Sequence, residues 1–186
     1  MPFLKSMPAG SFISDVYARR PDRFAHWTEF TDNILRGPSA LPQEFRQLVS
    51  CYVSGLNACQ YCHGTHHKIA VAFGYAPETL DALMQDVDLA PIEPRLKPIL
   101  KFLKKLTETP SKLTEADAQA VFDAGWDDDA LSDAVTLGAL WNFVNRMAMG
   151  HGLEALPDEV QKVRAQLVLD KTNTRLDPEP DAPTPA

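Results

Sequence analysis

Asn57-Ala58-Cys59-Gln60-Tyr61-Cys62-His63-Gly64-Thr65-His66-His67 places two thiols and three imidazoles within eleven residues of an otherwise ordinary chain. If the segment is helical from Cys59 onward, each residue turns by about 100°, so Cys59, Cys62 and His66 share one face. Cys62 and His66 are also an i, i+4 pair, the spacing at which helical side chains touch. His66 is therefore placed to take the Cys62 proton directly or through one water. Cys59 stands where the first turn begins, and a helix N-terminus with a neighbouring imidazole lowers a thiol pKa. The spacing supplies two thiols able to close a disulfide, a dipole that favours the anion, and a base. A zinc reading would use Cys59, Cys62 and His66 with His63 or His67 as a fourth ligand. It crowds every ligand onto one helix and lacks the distant second pair that structural zinc sites draw on, so no metal is expected. Cys51 reads as a small core residue, and His63 and His67 read as surface or interface residues.

Outward from that stretch, 186 residues with 45% hydrophobic content fit one domain with a real core. A net charge of -7 leaves no basic stripe to displace counterions from phosphates, so no nucleic-acid partner is expected. The lysines between Lys97 and Lys105 read as the wet face of one helix. The first residues lack a charged n-region with an apolar core, and no apolar run approaches the roughly 18 residues of a membrane span. A cytoplasmic protein with no membrane partner is expected. Three cysteines, two of them three apart, suggest redox work in a reducing compartment.

Pro2, Pro8 and Gly10 make residues 1–13 an arm. Phe24, Trp27, Phe30, Ile34 and Leu35 recur at helical spacing after Pro21. A second helix opens at Leu41-Pro42 and runs to about Leu56. On it Glu44, Gln47, Cys51 and Ser54 form a polar or small stripe, and a fold-back through Gly55–Ala58 would turn Gln47 and Ser54 toward the cysteines. The cysteine helix ends at Gly74, a short helix covers Pro77–Met84, and another covers Arg95 to about Thr107. Thr114-Glu115-Ala116-Asp117 reads as a capping box, and Asp127 or Asp128 caps a long helix from Asp129 to Met149, with Trp141 and Phe143 in its core. A last helix runs from Pro157 to about Leu169. Residues 170–186, proline-rich and acidic, are expected to be disordered. No strand-like alternation appears, so the fold class is all-α, a bundle of about six to eight helices spanning 14–169.

Phe45-Arg46-Gln47, Ser54, Asn57-Ala58-Cys59-Gln60-Tyr61-Cys62 with His66 after it, and Trp141-Asn142-Phe143-Val144-Asn145-Arg146 together resemble the AhpD-like superfamily, which includes carboxymuconolactone decarboxylases and alkylhydroperoxidases. The pattern is most similar to its peroxidase-related branch. The resemblance implies an AhpD-like helical fold that usually forms homo-oligomers and uses no organic cofactor. It also implies a hydroperoxide-reducing site: Cys59 and Cys62 cycle between dithiol and disulfide, His66 assists proton transfer, and an external thiol restores the dithiol. The family places a proton-relaying Glu twelve residues before the first cysteine, where this chain has Gln47. An amide cannot fill that role, which makes Glu44, one turn earlier, the substitute candidate. Tyr61, Asn145 and Arg146 are candidates for substrate or interface contacts. Two rival readings follow: a decarboxylase-like enzyme acting on a small acid or lactone, and a non-catalytic oligomeric redox sensor whose relay is lost at Gln47.

Overall fold

In the computed structural model, residues 1–176 are described, with side chains through Thr172. Among them there are helices and no strands. Eight helices of nine residues or more are present: α3 Trp27–Arg36, α4 Gln43–Leu56, α5 Gln60–Ala72, α6 Pro77–Gln85, α7 Lys97–Glu108, α8 Glu115–Asp123, α9 Asp128–Gly150 and α10 Asp158–Leu176. Two short ones, α1 Ile13–Ala18 and α2 Pro21–Phe24, precede them.

The hub is α4. Every residue from Phe45 to Ser54 is buried, the signature of a helix enclosed on all sides. Its neighbours are α5, α9, α7 and α6. Phe45, Leu48, Val49 and Val53 meet Ile99, Leu100 and Leu103 of α7 and Leu137 of α9 in one cluster. Each such side chain contributes roughly 1.5–3 kcal/mol by leaving water. α7 and α9 approach closely at Gly138, where an added Cβ would stand 2.7 Å from Leu103 Cδ2.

Local signals set the helix ends. Asp117 accepts from the Thr114 amide at 2.7 Å and pairs with Lys105 at 2.6 Å, closing the expected capping box. Asp127 caps α9 by accepting from Ala130 N at 2.8 Å.

Several expectations change. The helical spacing of Phe24 to Leu35 after Pro21 is interrupted at Ala25–His26, which divides the stretch into α2 and α3. Phe30 is 53% and Phe143 42% exposed, so neither is core; both pack on Trp27, on an outer face. Asp32 takes the buried position on α3 and is paired with Arg36 and Lys171. The arm is tied down: the Phe3 amide donates to His151 O at 3.0 Å, Met7 is buried, and α1 begins within the arm at Ile13. The last helix runs seven residues beyond Leu169, to Leu176; the rest of the expected tail, 177–186, lies outside the described residues. No helix among the described residues is long and apolar enough to cross a membrane.

Candidate functional site

The α4–α5 turn builds the site. α4 ends in a Schellman motif: Cys59 N–H donates to Ser54 O at 3.0 Å and Ala58 N–H to Gly55 O at 2.8 Å. The motif needs a left-handed residue, and Ala58 supplies it with φ 52°. This closure delivers Cys59 to the N-cap position of α5.

Both sulfurs are inside, with Cys59 0% and Cys62 3% exposed, and both cysteines are free thiols. They are close enough to interact strongly. The Cys62 thiol donates to Cys59 and holds its pKa down to about 7 against the upward push of burial. The amides of Cys62 and Tyr61 add to this, facing the sulfur without closing the short bond of an oxygen cap. The same contact raises the Cys62 thiol far above its ordinary value, together with burial and the Cys59 charge. Asn145 and Arg164 oppose that rise. The two shifts run in opposite directions, which makes Cys59 the more acidic thiol of the pair and Cys62 the less acidic.

A carboxamide network fixes the wall behind the pair. Asn57 Nδ2 donates to Asn145 Oδ1 at 2.9 Å and to Asn142 Oδ1 at 3.1 Å, and Asn145 Nδ2 donates to Ser54 Oγ at 3.0 Å. Asn145 is fully buried. Arg146 is exposed and bonds back to Asn142 Oδ1 at 2.7 Å, bracing the network from outside. The two quoted motifs thus meet through these amides, across 85 to 91 positions of sequence.

His66 turns its ring onto Trp141, centroids 4.0 Å apart. The residue is half-buried, yet Nδ1 is sealed from solvent without a hydrogen-bond partner. Burial, with Arg164 and His63, lowers its pKa to about 3, so the ring is neutral and a weak base. The thiolate is sustained by Cys62 and backbone amides rather than by the expected imidazole. Tyr61 is buried, and its hydroxyl accepts from Ile13 N–H at 3.0 Å, tying α1 to the site. Gln47 is 1% exposed with Nε2 unpartnered, about 10 Å along α4 from Ser54 by the helical rise. Glu44 is exposed and lines a separate surface cavity with Tyr75 and Glu93.

The sequence reading missed Arg164, which lies within electrostatic reach of Cys62, Tyr61 and His66. No local signal marks it; its place depends on α10 docking along α5, where Gly64 leaves room for the Gln161 amide and Lys68 pairs with Asp158 at 2.8 Å. Among the described residues no three His, Cys, Asp or Glu side chains are arranged to hold a metal ion.

The sequence model of the Carboxymuconolactone decarboxylase family matches residues 21–90. The fold is similar to the alkylhydroperoxidase AhpD core of an uncharacterized peroxidase-related protein from Ralstonia eutropha JMP134, with TM-score 0.71 and 25% identity, covering 81% of this chain and 78% of that one. It is also similar to an uncharacterized peroxidase-related protein from Silicibacter sp. TM1040, with TM-score 0.69 and 24% identity over 75% and 73% of the two chains. The debrominase Bmp8 in complex with 2,3,4-tribromopyrrole shares the fold at TM-score 0.65 and 14% identity, over 83% and 79%. No curated protein matches the sequence. Family match and fold together support placing the chain in the AhpD-like superfamily.

Proposed function

We propose that the chain is a thiol-dependent oxidoreductase that reduces hydroperoxides with Cys59 as nucleophile and Cys62 as resolving thiol. The polarised pair carries this reading: a buried thiolate at a helix N-cap, with the second thiol's proton directed at it. Cys59 sulfur attacks the terminal peroxide oxygen, the O–O bond breaks, and the two electrons of the new S–O bond come from sulfur. The leaving alkoxide takes the Cys62 proton and departs as the alcohol. Cys62, now a thiolate, attacks the Cys59 sulfenic acid; the disulfide forms and hydroxide leaves as water after taking up a solvent proton. An external dithiol then exchanges with the disulfide and returns the protein to the reduced state. Because Cys62 supplies the first proton, this scheme uses neither a carboxylate at position 47 nor a basic His66.

Titrating thiols before and after one equivalent of an alkyl hydroperoxide tests the proposal. Two of the three thiols should disappear and return with dithiothreitol, and Cys59→Ser should keep both of its remaining thiols. Persistence of all three thiols in the unaltered protein overturns it. The family match supports a second reading, decarboxylase-like chemistry on a small acid or lactone; turnover of such a compound surviving the paired changes Cys59→Ser and Cys62→Ser would favour it. For the sensor reading, Gln47→Glu decides whether a missing relay acid limits turnover: a gain supports a lost relay, and the Cys62-proton scheme expects none.

A further inference from the structure

The dithiol scheme leaves Arg164 without a task. This half-buried residue on the second turn of α10 has its guanidinium 5.4 Å from the centre of the Phe12 ring. Among the described residues it has no carboxylate partner, while its neighbour Glu159 is held by Lys162 at 3.0 Å. Its effect on Cys62 is weaker than those of Cys59, burial and Asn145, so stabilising a thiolate does not account for it.

Beside it opens a groove of about 450 Å³, lined by Phe12, Ser14, Glu159, Val160, Val163 and Arg164. Val163 is 60% exposed on its wall. Ile13, next to Phe12, donates its amide to the Tyr61 hydroxyl, which ties this side of the groove to the first turn of α5, where the two cysteines stand. An apolar trough with one unpaired guanidinium complements a ligand of matching polarity: an aliphatic body ending in a single negative charge. A guanidinium fork suits a planar carboxylate, and Glu159 at the rim disfavours a dianion such as phosphate.

We propose that this groove is a docking subsite for an amphiphilic carboxylate, its chain on Phe12, Val160 and Val163 and its carboxylate on Arg164, so that the oxidant served by the dithiol is the hydroperoxide of a medium- or long-chain organic acid. The identification of that oxidant rests on the function proposed above; binding of the carboxylate does not.

Dodecanoate and dodecanol, alike in chain and different in charge, make the probe pair for calorimetric titration of the full chain. Dodecanoate should bind at least about tenfold tighter, the value of one charge-assisted contact, and should slow alkylation of Cys59. Arg164→Met should erase the preference, Arg164→Lys should keep most of it, and Val163→Asp, an exposed change that spares the fold, should weaken dodecanoate more than dodecanol. Carboxylate binding with this pattern, in a protein whose thiols survive hydroperoxide, supports the subsite while removing the proposed reaction. Thiols consumed by hydroperoxide, with the two probes binding alike or Arg164→Met changing nothing, overturn the subsite and leave the reaction standing. A doubled mass in solution that Val163→Asp abolishes, with the probes binding alike, assigns the groove to a second copy of the chain and equally overturns it.

Discussion

Cys51 and Cys59 lie eight positions apart and are almost equally sealed, at 2% and 0% exposure, yet their thiols move in opposite directions. Burial, aided by the Asp81 charge, drives Cys51 up to about 12. Cys59 falls to about 7 although burial opposes it there too. Cys51 even has an imidazole beside it, with Sγ 3.7 Å from His63 Nδ1. That nitrogen also lies 3.1 Å from the Cys51 carbonyl oxygen, to which its N–H donates. Cys51 is in mid-helix, where backbone amides are spent on the helix itself, whereas Cys59 has the Cys62 thiol as its main donor and, as cap of the next helix, also faces amides that the first turn leaves free. A neighbouring histidine does not make a thiolate; unspent donors do.

The sharpest way to break this comparison is to delete each sulfur in turn. Cys59→Ser should lower hydroperoxide consumption at least about a thousandfold, as expected for loss of a nucleophile. Cys62→Ser should stop at a sulfenic acid that a dimedone adduct reveals by mass. Cys51→Ser should stay within about twofold. Equal losses at Cys51 and Cys59 would erase the distinction.

The pH dependence of alkylation measures the same contrast. Cys59 has its folded pKa below the value of about 8.5 for an unfolded thiol. Its contribution to stability is therefore present above that unfolded value and is lost as pH falls through about 7. Its rate with iodoacetamide should rise about tenfold per pH unit below 7 and level off above it, while Cys51 stays unreactive until the protein is unfolded. Cys62→Ala removes the donated thiol proton and should shift the Cys59 midpoint upward. An unchanged midpoint would assign the whole effect to the backbone amides.

The wall behind Cys62 can also be opened. Asn57→Ala removes the donor to Asn142 and Asn145; Arg146 still serves Asn142 Oδ1, but the buried Asn145 Oδ1 loses its donor, a cost of about 1–3 kcal/mol. The urea midpoint should drop accordingly, while Arg146→Ala, which only braces Asn142 from outside, should cost less than about 1 kcal/mol. His66 adds an acid limit. Its folded pKa of about 3 lies below its unfolded value of 6.5, so the unfolded chain binds the extra proton and stability falls as pH drops from 6.5 toward 3, by up to about 1 kcal/mol per pH unit. His66→Gln should flatten that part of the stability profile.

Much of this was legible in the sequence. The spacing put Cys59 at the start of a helix behind an amphipathic one, and proline and aspartate signals at Pro77, Thr114 and Asp127 marked helix starts to within about one residue. Side-chain direction was harder to read. The i, i+4 rule brings Cys62 and His66 within reach, but ring packing on Trp141, 75 positions away, decides where the imidazole goes. Arg164 and α1 reach the site only because α10 docks on α5 and Tyr61 anchors Ile13, long-range contacts with no local periodicity. Phe30 kept helical spacing and still ended outside, because Asp32 and its two cations claimed the inner face of α3; Phe143, on α9, packs on Trp27 at that same outer face.

The smallest change probes the hinge on which both cysteine environments turn. Ala58 holds a left-handed conformation at φ 52°, which costs a residue with a Cβ about 1–2 kcal/mol. Its methyl group is exposed, so nothing is lost from the core if it is removed. Ala58→Gly relieves that strain but enlarges the unfolded ensemble, an opposing effect of about 0.4–1 kcal/mol. The net gain should be under about 1 kcal/mol in urea unfolding. The Schellman bonds from Cys59 to Ser54 and from Ala58 to Gly55 involve only the backbone, and they survive the exchange. The Cys59 alkylation midpoint should therefore remain near 7. A midpoint that climbs while stability rises would show that the alanine's strain, and not merely the turn's hydrogen bonds, presses Cys59 onto the first turn of α5, with the position of the nucleophile traded against stability at this residue.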